Sequence, residues 1–273
     1  GKTFHAGSGV LQARVHGDEY DYVRARYDWH VLPGVTEEWR TDAIPTGSSG
    51  KYRCGGNEYA GAVADGMTGM GAFQHLPHDD EADGYSVVRA NKAYFFHDFG
   101  AVALGNGITR IKSGQGRAVV TTLDQARWRG AISYEEVATS SGSPTTIPYS
   151  ADGGCARSLQ VSPGATMWVH QGSVGYVVRN PSDTTALTLE MKCGKTEVSA
   201  TDSSAARSSG WGDRNPRNRW DASSTYYQSD RPFLAVLHHG QNPVDGAYQY
   251  AMLPGVTAAQ VQARAREFFT SEV

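Results

Sequence analysis

An all-β protein, one large antiparallel sandwich with a short C-terminal helix, is what this sequence predicts, and three observations carry the prediction. Thirty-two glycines among 273 residues require many turns. The apolar runs are short, rich in aromatic and β-branched residues, and broken by Gly, Pro, Ser, Asp or Asn. Only one stretch, near the C-terminus, repeats its apolar positions at helical spacing. A sandwich of this length commonly stays a single domain.

The predicted strands, in order, are Val10–Val15, Tyr85–Val88, Ala93–Phe96, Ala101–Leu104, Ala118–Thr122, Met167–Val169, Tyr176–Val178, Ala186–Met191 and Phe233–Leu237. The last runs into His238-His239-Gly240 and Pro243, and a further strand follows with Tyr248 and Tyr250 on one face. Alternation places Trp29, Phe95, Trp168, Tyr176 and Phe233 inward, in the core. Ser140–Pro144 and Ala200–Gly210 read as exposed loops. After Pro254-Gly255, Thr257 caps a helix whose apolar positions are Val261, Ala265 and Phe268. Residues 1–255 form the sandwich domain, and 256–273 a helical tail leading toward a further C-terminal region.

Composition excludes some roles. A net charge of −3 argues against a nucleic-acid partner, whose footprint is a strong basic excess. Arginine groups such as Arg24/Arg26 or Arg214/Arg217/Arg219 suit a polyanionic sugar, and equally a solvated face. No apolar run is long enough to cross a bilayer, so no membrane is expected as a partner. The chain begins at Gly1 and not at a methionine, which fits a removed leader or a piece of a longer chain. Three cysteines, Cys54, Cys155 and Cys193, allow one disulfide in any of three pairings, a Cys155–Cys193 bridge among them, or buried free thiols.

Several residues invite a chemical reading. His238 and His239 invite a catalytic reading, since histidine as a residue type suits proton transfer, but a structural histidine satisfied by backbone carbonyls is the better reading. His75 and His78 stand near Asp79, Asp80, Glu81 and Asp83, and the spacing fits no EF-hand. Such an acidic stretch reads as a solvated turn. Gly105-Asn106-Gly107 lacks the helix and Lys-Ser/Thr of a phosphate loop and reads as a turn between strands.

Six blocks, in order across residues 29–254, resemble polysaccharide lyase family 8, the chondroitin AC, hyaluronate and xanthan lyases. Trp29-His-Val-Leu-Pro33-Gly34-Val-Thr36 is similar to the family's Trp-x-x-(Leu/Ile)-Pro-Gly-(Thr/Ile)-Thr. Lys92-Ala-Tyr94-Phe95-Phe96-His97-Asp98 with Leu104-Gly105-Asn-Gly107-Ile108 is similar to its Lys-x-Trp-Phe-x-Phe-Asp and Leu-Gly-x-Gly-Ile. Thr121-Thr122-Leu-Asp-Gln125, Trp168 with Gly175-Tyr176, Trp211-Gly-Asp-Arg-Asn215 and the closing Phe233–Pro254 hairpin complete the set. Asn57-Glu58-Tyr59-Ala-Gly61, leading to Val63-Ala-Asp65-Gly66, resembles the chondroitin AC lyases within the family.

The resemblance implies a super-sandwich fold and cleavage of a uronate-containing glycosaminoglycan, of chondroitin or hyaluronan type, by β-elimination. It implies a secreted or periplasmic enzyme whose partners are an anionic polysaccharide and the N-terminal helical domain of the same enzyme. The family's proton-transfer residues lie on that helical domain, so the catalytic residues are expected upstream of Gly1. Where the family stacks a tryptophan on a sugar ring, this chain has Lys51-Tyr52. The substrate-binding set implied is Tyr52, Arg53, Asn57 and Glu58. No cofactor is required. A structural Ca²⁺ is implied near Trp29–Thr36, with Asp28, Glu37 and Glu38 as hard oxygen ligands, though His30 and Trp39 replace expected carboxylates. Two other readings remain beside this one. One is a non-catalytic carbohydrate-binding module. The other is a self-contained β-sandwich lyase for another polyuronate, using Tyr59 or another tyrosine with a histidine such as His75.

Overall fold

The computed structural model describes residues 5, 7–20, 28–41, 56–76, 86–137, 143–150, 153–194 and 231–268. The described strands are β1 Thr36–Glu38, β2 Ala60–Ala64, β3 Gly69–His75, β4 Val88–His97, β5 Gly100–Arg110, β6 Val119–Arg127 and β7 Ile132–Val137. They continue as β8 Thr145–Ile147, β9 Gly154–Val161, β10 Thr166–Gln171, β11 Val174–Arg179, β12 Leu187–Gly194, β13 Pro232–His238 and β14 Gly246–Pro254. The helix α1 spans Ala258–Glu267. A five-stranded sheet runs β1-β6-β13-β12-β9, and a nine-stranded sheet runs β2-β3-β4-β5-β14-β11-β10-β7-β8. The pairings are antiparallel.

One core cluster joins the two sheets. Leu189, Met191, Phe233, Ala235 and Leu237 of the small sheet meet Tyr94, Ile108, Val169, Tyr176 and Tyr250 of the large one. Tyr176 and Phe233 stack across the gap, 6.4 Å between ring centroids and 28° between planes. β13 is buried on both faces: Phe233, Ala235 and Leu237 point into the sandwich, while Leu234 and Val236 pack with Val31 and Val120 in a separate cluster. That explains its unbroken apolar run, since a strand covered on both sides has no polar face.

Three of the five aromatic residues expected in the core are fully buried: Trp168, Tyr176 and Phe233. Trp168 packs not between the sheets but under α1, with Val177, Ala251, Leu253, Val261 and Ala265. Phe95 is half-buried and Trp29 only partly covered. On β4 the inward positions belong to Lys92 and Tyr94, so the alternation runs one residue out of step with the expectation.

Two further expectations need correction. Val10–Val15 forms no strand; Leu11 N–H donates to the Pro33 carbonyl at 3.0 Å, tying this segment to the loop before β1 instead. Gly105-Asn106-Gly107 lies inside β5 and not in a turn. Gly105 is required there because a Cβ would fall 2.1 Å from the Tyr248 ring. The strand stays continuous because the missing side chain makes room for a tyrosine from β14.

The C-terminal helix matches its reading except at Phe268, which is the extended C-cap just past its end. Thr257 caps it in a reciprocal box with Gln260, and Val261 and Ala265 are its buried positions. Cys155 and Cys193 are directly opposed on β9 and β12, 4.9 Å between Cα atoms, and form a disulfide that ties the edge strand to its neighbour. Cys54 lies outside the described residues.

Candidate functional site

Of the implied substrate-binding set, Tyr52 and Arg53 lie outside the described residues, whereas Asn57 and Glu58 are exposed on the approach to β2. The Asn57 amide donates to the Tyr59 carbonyl at 3.4 Å. Tyr59 itself is 56% exposed. His75 is buried at the far end of β3, with its Nε2 2.9 Å from Glu37. Tyr59 pairs with Gln74 across the ladder, since Gln74 N–H donates to the Tyr59 carbonyl at 3.0 Å. Successive strand residues face opposite ways, so Tyr59 and His75 sit on opposite faces of the sheet. A tyrosine–histidine pair built from these two does not exist in the fold.

The three carboxylates expected around Ca²⁺ are all buried, but each points to its own partners. Asp28 takes the His30 ring at 2.7 Å on one oxygen and the Trp39 indole N–H at 2.7 Å on the other. Glu37 Oε1 is shared by His75 and the Ser86 hydroxyl. Glu38 accepts from Arg110 at 3.0 Å and Arg40 at 3.3 Å, and from the backbone N–H groups of Gln115 and Arg117 at 3.0 and 2.9 Å. Among the described residues no three His, Cys, Asp or Glu side chains gather as a metal set. Histidine, indole, hydroxyl and guanidinium donors thus occupy Asp28, Glu38 and one oxygen of Glu37, while the buried Glu37 Oε2 has no hydrogen-bond partner among the described residues.

The arrangement is a scaffold that holds an N-terminal strap, described over residues 7–20 and 28–38, against the sandwich. Burial pushes the Glu37 carboxyl up, but hydrogen bonds from His75 and Ser86 and the charges of His75 and His5 outweigh it and hold it below the usual carboxylate range. Burial drives His5 down to about 4, so it is neutral near pH 7. Lys92 on β4 is fully enclosed, and its ammonium donates to the carbonyls of Ser8 at 3.2 Å and Gly34 at 2.5 Å. Burial lowers it to about 7. Two positions along, the Tyr94 hydroxyl donates to the Gly9 carbonyl at 2.7 Å. Gly9 has φ +91°, and a Cβ there would strike Tyr94 Oη at 2.4 Å, so the strap can pass this point only as glycine.

Asp124 is a second anchor that pattern reading missed. β6 carries one extra residue, Leu123, opposite the Ala235–Val236 step of β13. The bulge sets Asp124 opposite Ala235, an inward position. Its carboxyl then accepts from Tyr20 of the strap at 3.2 Å and from Tyr176. Burial raises it to about 6, against the opposing hydrogen bonds from Tyr176, Gln125 and Tyr20. A raised carboxyl contributes stability below its unfolded value, near 3.8, and loses it as pH rises through 6. Asp124→Asn, which keeps a neutral group in place, is expected to stabilise the protein at pH 7 by up to about 3 kcal/mol. The gain should vanish toward pH 4. Urea midpoints of variant and wild type at the two pH values decide it, and a gain over wild type no larger at pH 7 than at pH 4 would contradict the assignment.

The terminal histidines are structural, but not through backbone carbonyls as expected. His238 Nε2 meets Glu190 at 2.7 Å, and that bond is the main reason Glu190 lies down at about 2. His239 Nε2 meets the Thr121 hydroxyl at 2.8 Å, and burial lowers it to about 3. His78 and the acidic stretch after it, like the Trp211–Asn215 block, lie outside the described residues.

The pinned strap, the bulged β6 and the closing β13–β14 pair are features of a whole domain, and the family comparison spans that whole. The model for the polysaccharide lyase family 8 super-sandwich domain matches residues 1–265. The chain belongs to polysaccharide lyase family 8. Among curated family 8 relatives it is similar to the chondroitinase-AC of Pedobacter heparinus, 25% identical over 253 residues, which are 92% of this chain and 29% of that protein. The chain thus spans less than a third of that relative's length. Among solved structures it resembles a chondroitinase AC lyase determined as enzyme–oligosaccharide complexes, with TM-score 0.62 and 21% identity over 94% of this chain and 32% of that one. It also resembles the Paenibacillus xanthan lyase, with TM-score 0.60 and 20% identity over 97% of this chain and 22% of that one. A family 8 super-sandwich is therefore both the matched domain and the observed fold.

Proposed function

We propose that this chain is the sandwich portion of a secreted or periplasmic lyase that cleaves uronate-containing glycosaminoglycan, of chondroitin or hyaluronan type, by β-elimination. In that reaction a base takes the proton from C5 of the uronic acid and the C4–O4 bond breaks. The C4–C5 double bond forms, and O4 leaves with a proton. The C5 proton is weakly acidic, so a base needs accompanying charge stabilisation of the carboxylate. The observation that carries the reading is the family match over residues 1–265 in a chain whose described histidines on β3 and β13 are already engaged. His75 serves Glu37 and His238 serves Glu190, while Tyr59 lies on the opposite face of the sheet from His75. Proton transfer then falls to an N-terminal helical domain of the same enzyme, and the sandwich supplies sugar contacts through Tyr52, Arg53, Asn57 and Glu58. The Cys155–Cys193 bridge supports an oxidising compartment.

The test compares full-length protein with residues 1–273 on chondroitin sulfate, hyaluronan, xanthan and alginate, reading the ultraviolet band of the unsaturated uronide. The full-length protein is expected to produce it on chondroitin or hyaluronan and the isolated chain on none. A full-length protein inert on all four would end the lyase reading in favour of a binding module. Turnover by residues 1–273 alone would return the proton transfer to the sandwich.

A further inference from the structure

The nine-stranded sheet has an outer face that α1 covers only in part. The helix packs with Trp168, Val177, Ala251 and Leu253, that is, over β10, β11 and β14. Among the described residues nothing covers the β2–β5 end of that face, and it carries a row of side chains that is neither apolar nor randomly polar. Tyr59 stands opposite Gln74, Gln74 opposite Asn91, and Asn91 opposite Asn106, one on each of four neighbouring strand lines. Paired residues of an antiparallel ladder share a face. The inward face at this level belongs to Phe73 and Lys92, so the row points outward. Asn91 and Asn106 are exposed, and the Asn91 amide donates to Asn106 Oδ1 at 3.0 Å. Arg89, also exposed, lies on the same face one step along β4, opposite Thr109.

Tyr59 is shaped as a platform. Its neighbour on the same face is Gly61, and an added Cβ there would meet Tyr59 Oη, Cε2 and Cζ at 3.6 to 3.9 Å. The phenol thus lies down over the bare glycine backbone, which leaves its other side to solvent. An exposed aromatic held down in this way costs little entropy when a sugar ring stacks on it. The three amides continue the row at the strand spacing of about 4.8 Å, a step close to the length of one pyranose. Each amide has both donor and acceptor positions, which suits hydroxyl and N-acetyl groups equally. Arg89 adds a cation beside the row, with the fork that carboxylates match. The adjacent acid is Glu58, at the edge of the row next to the platform.

We propose that this open face is a glycan-binding surface for an extended anionic polysaccharide lying across the strands, one sugar on Tyr59 and successive sugars on Gln74, Asn91 and Asn106, with a uronate carboxylate toward Arg89. The choice of a uronate polymer rests on the lyase reading; the surface itself rests on the row. It extends the sugar contacts proposed for Asn57 and Glu58 onto the flat of the sheet and gives the sandwich a holding function for long chains.

The experiment measures chondroitin sulfate binding to full-length protein by calorimetry, with a polymer and a hexasaccharide as probes. Tyr59→Ala is expected to weaken binding about fivefold, and Tyr59→Phe to retain it. The Asn91→Ala, Asn106→Ala double variant is expected to lose about tenfold. Arg89→Met should flatten the salt dependence. These side chains are exposed, and unchanged thermal midpoints will show that the variants fold. Wild-type affinity in both the Tyr59→Ala and the double variant overturns the surface, even with unsaturated product still released, and the lyase reading then stands alone. Binding that depends on Tyr59 without any unsaturated product keeps the surface and ends the lyase reading. Protection of Tyr59 from nitration by tetranitromethane in ligand-free full-length protein would mean that another part of the chain covers this face, and that also overturns the surface.

Discussion

Phe233→Ala will lower the free energy of unfolding by about 3–5 kcal/mol, the range for truncating a fully buried aromatic residue. Phe233 is completely enclosed on β13, at the centre of the small sheet, and its ring stacks on Tyr176 of the large sheet. Its neighbours on the same strand, Ala235 and Leu237, belong to the same cluster. Strands on both sides, β6 and β12, hold β13 in place, so the walls of the new cavity have little freedom to collapse. Urea unfolding will show the loss as a lower midpoint with an unchanged slope. A shift under about 1 kcal/mol would mean that the sheets do not pack through this residue.

Glu38→Ala will be nearly as damaging, at about 3–5 kcal/mol, because it strands buried cations instead of emptying space. The carboxylate is 2% exposed and takes four donors: the guanidinium groups of Arg110 and Arg40 and the N–H groups of Gln115 and Arg117. Arg110 also donates to the carbonyls of Gln241 at 2.6 Å and Arg117 at 2.8 Å, so it joins β1, the loop after β5 and the turn before β14. Glu38→Gln, which keeps an acceptor, should lose less than half as much. The same pair of variants speaks to the metal question. Stability of the parent that responds to Ca²⁺ chelation, with the loss abolished in Glu38→Ala, would restore a cation to this carboxylate.

The carboxylates have partners that sequence reading does not reach. Asp28, Glu37 and Glu38 look like ligands because three acids lie near one another in the chain. Their real partners come from elsewhere: His75 is 38 residues from Glu37, and Arg110 is 72 from Glu38. Trp39 shows the same effect at short range, since its indole N–H donates to an Asp28 carboxylate oxygen. The misplacement of Phe95 has a different cause. Lys92-Ala93-Tyr94-Phe95-Phe96 offers apolar residues in both phases, and only the strap's carbonyls at Ser8, Gly9 and Gly34, waiting on the inner side, select Lys92 and Tyr94. β2 and β3 escaped notice because Ala60–Ala64 and Gly69–His75 are rich in alanine and glycine, which carry weak strand preference.

By itself the sequence determined what depends on contiguous residues. The all-β class followed from turn residues and short β-branched runs, the helix from Thr257 and its spaced apolar positions, and the family from ordered blocks along one chain. Tertiary structure alone decided the order β1-β6-β13-β12-β9, the pairing of Cys155 with Cys193, the bulge that turns Asp124 inward, and the row from Tyr59 to Asn106. The physical reason is range. Periodicity and capping are set by neighbours within a turn or two, whereas a strand's partner and the burial of its charges are set by chain that arrives from far along the sequence, as Tyr20 does at Asp124, 104 residues away.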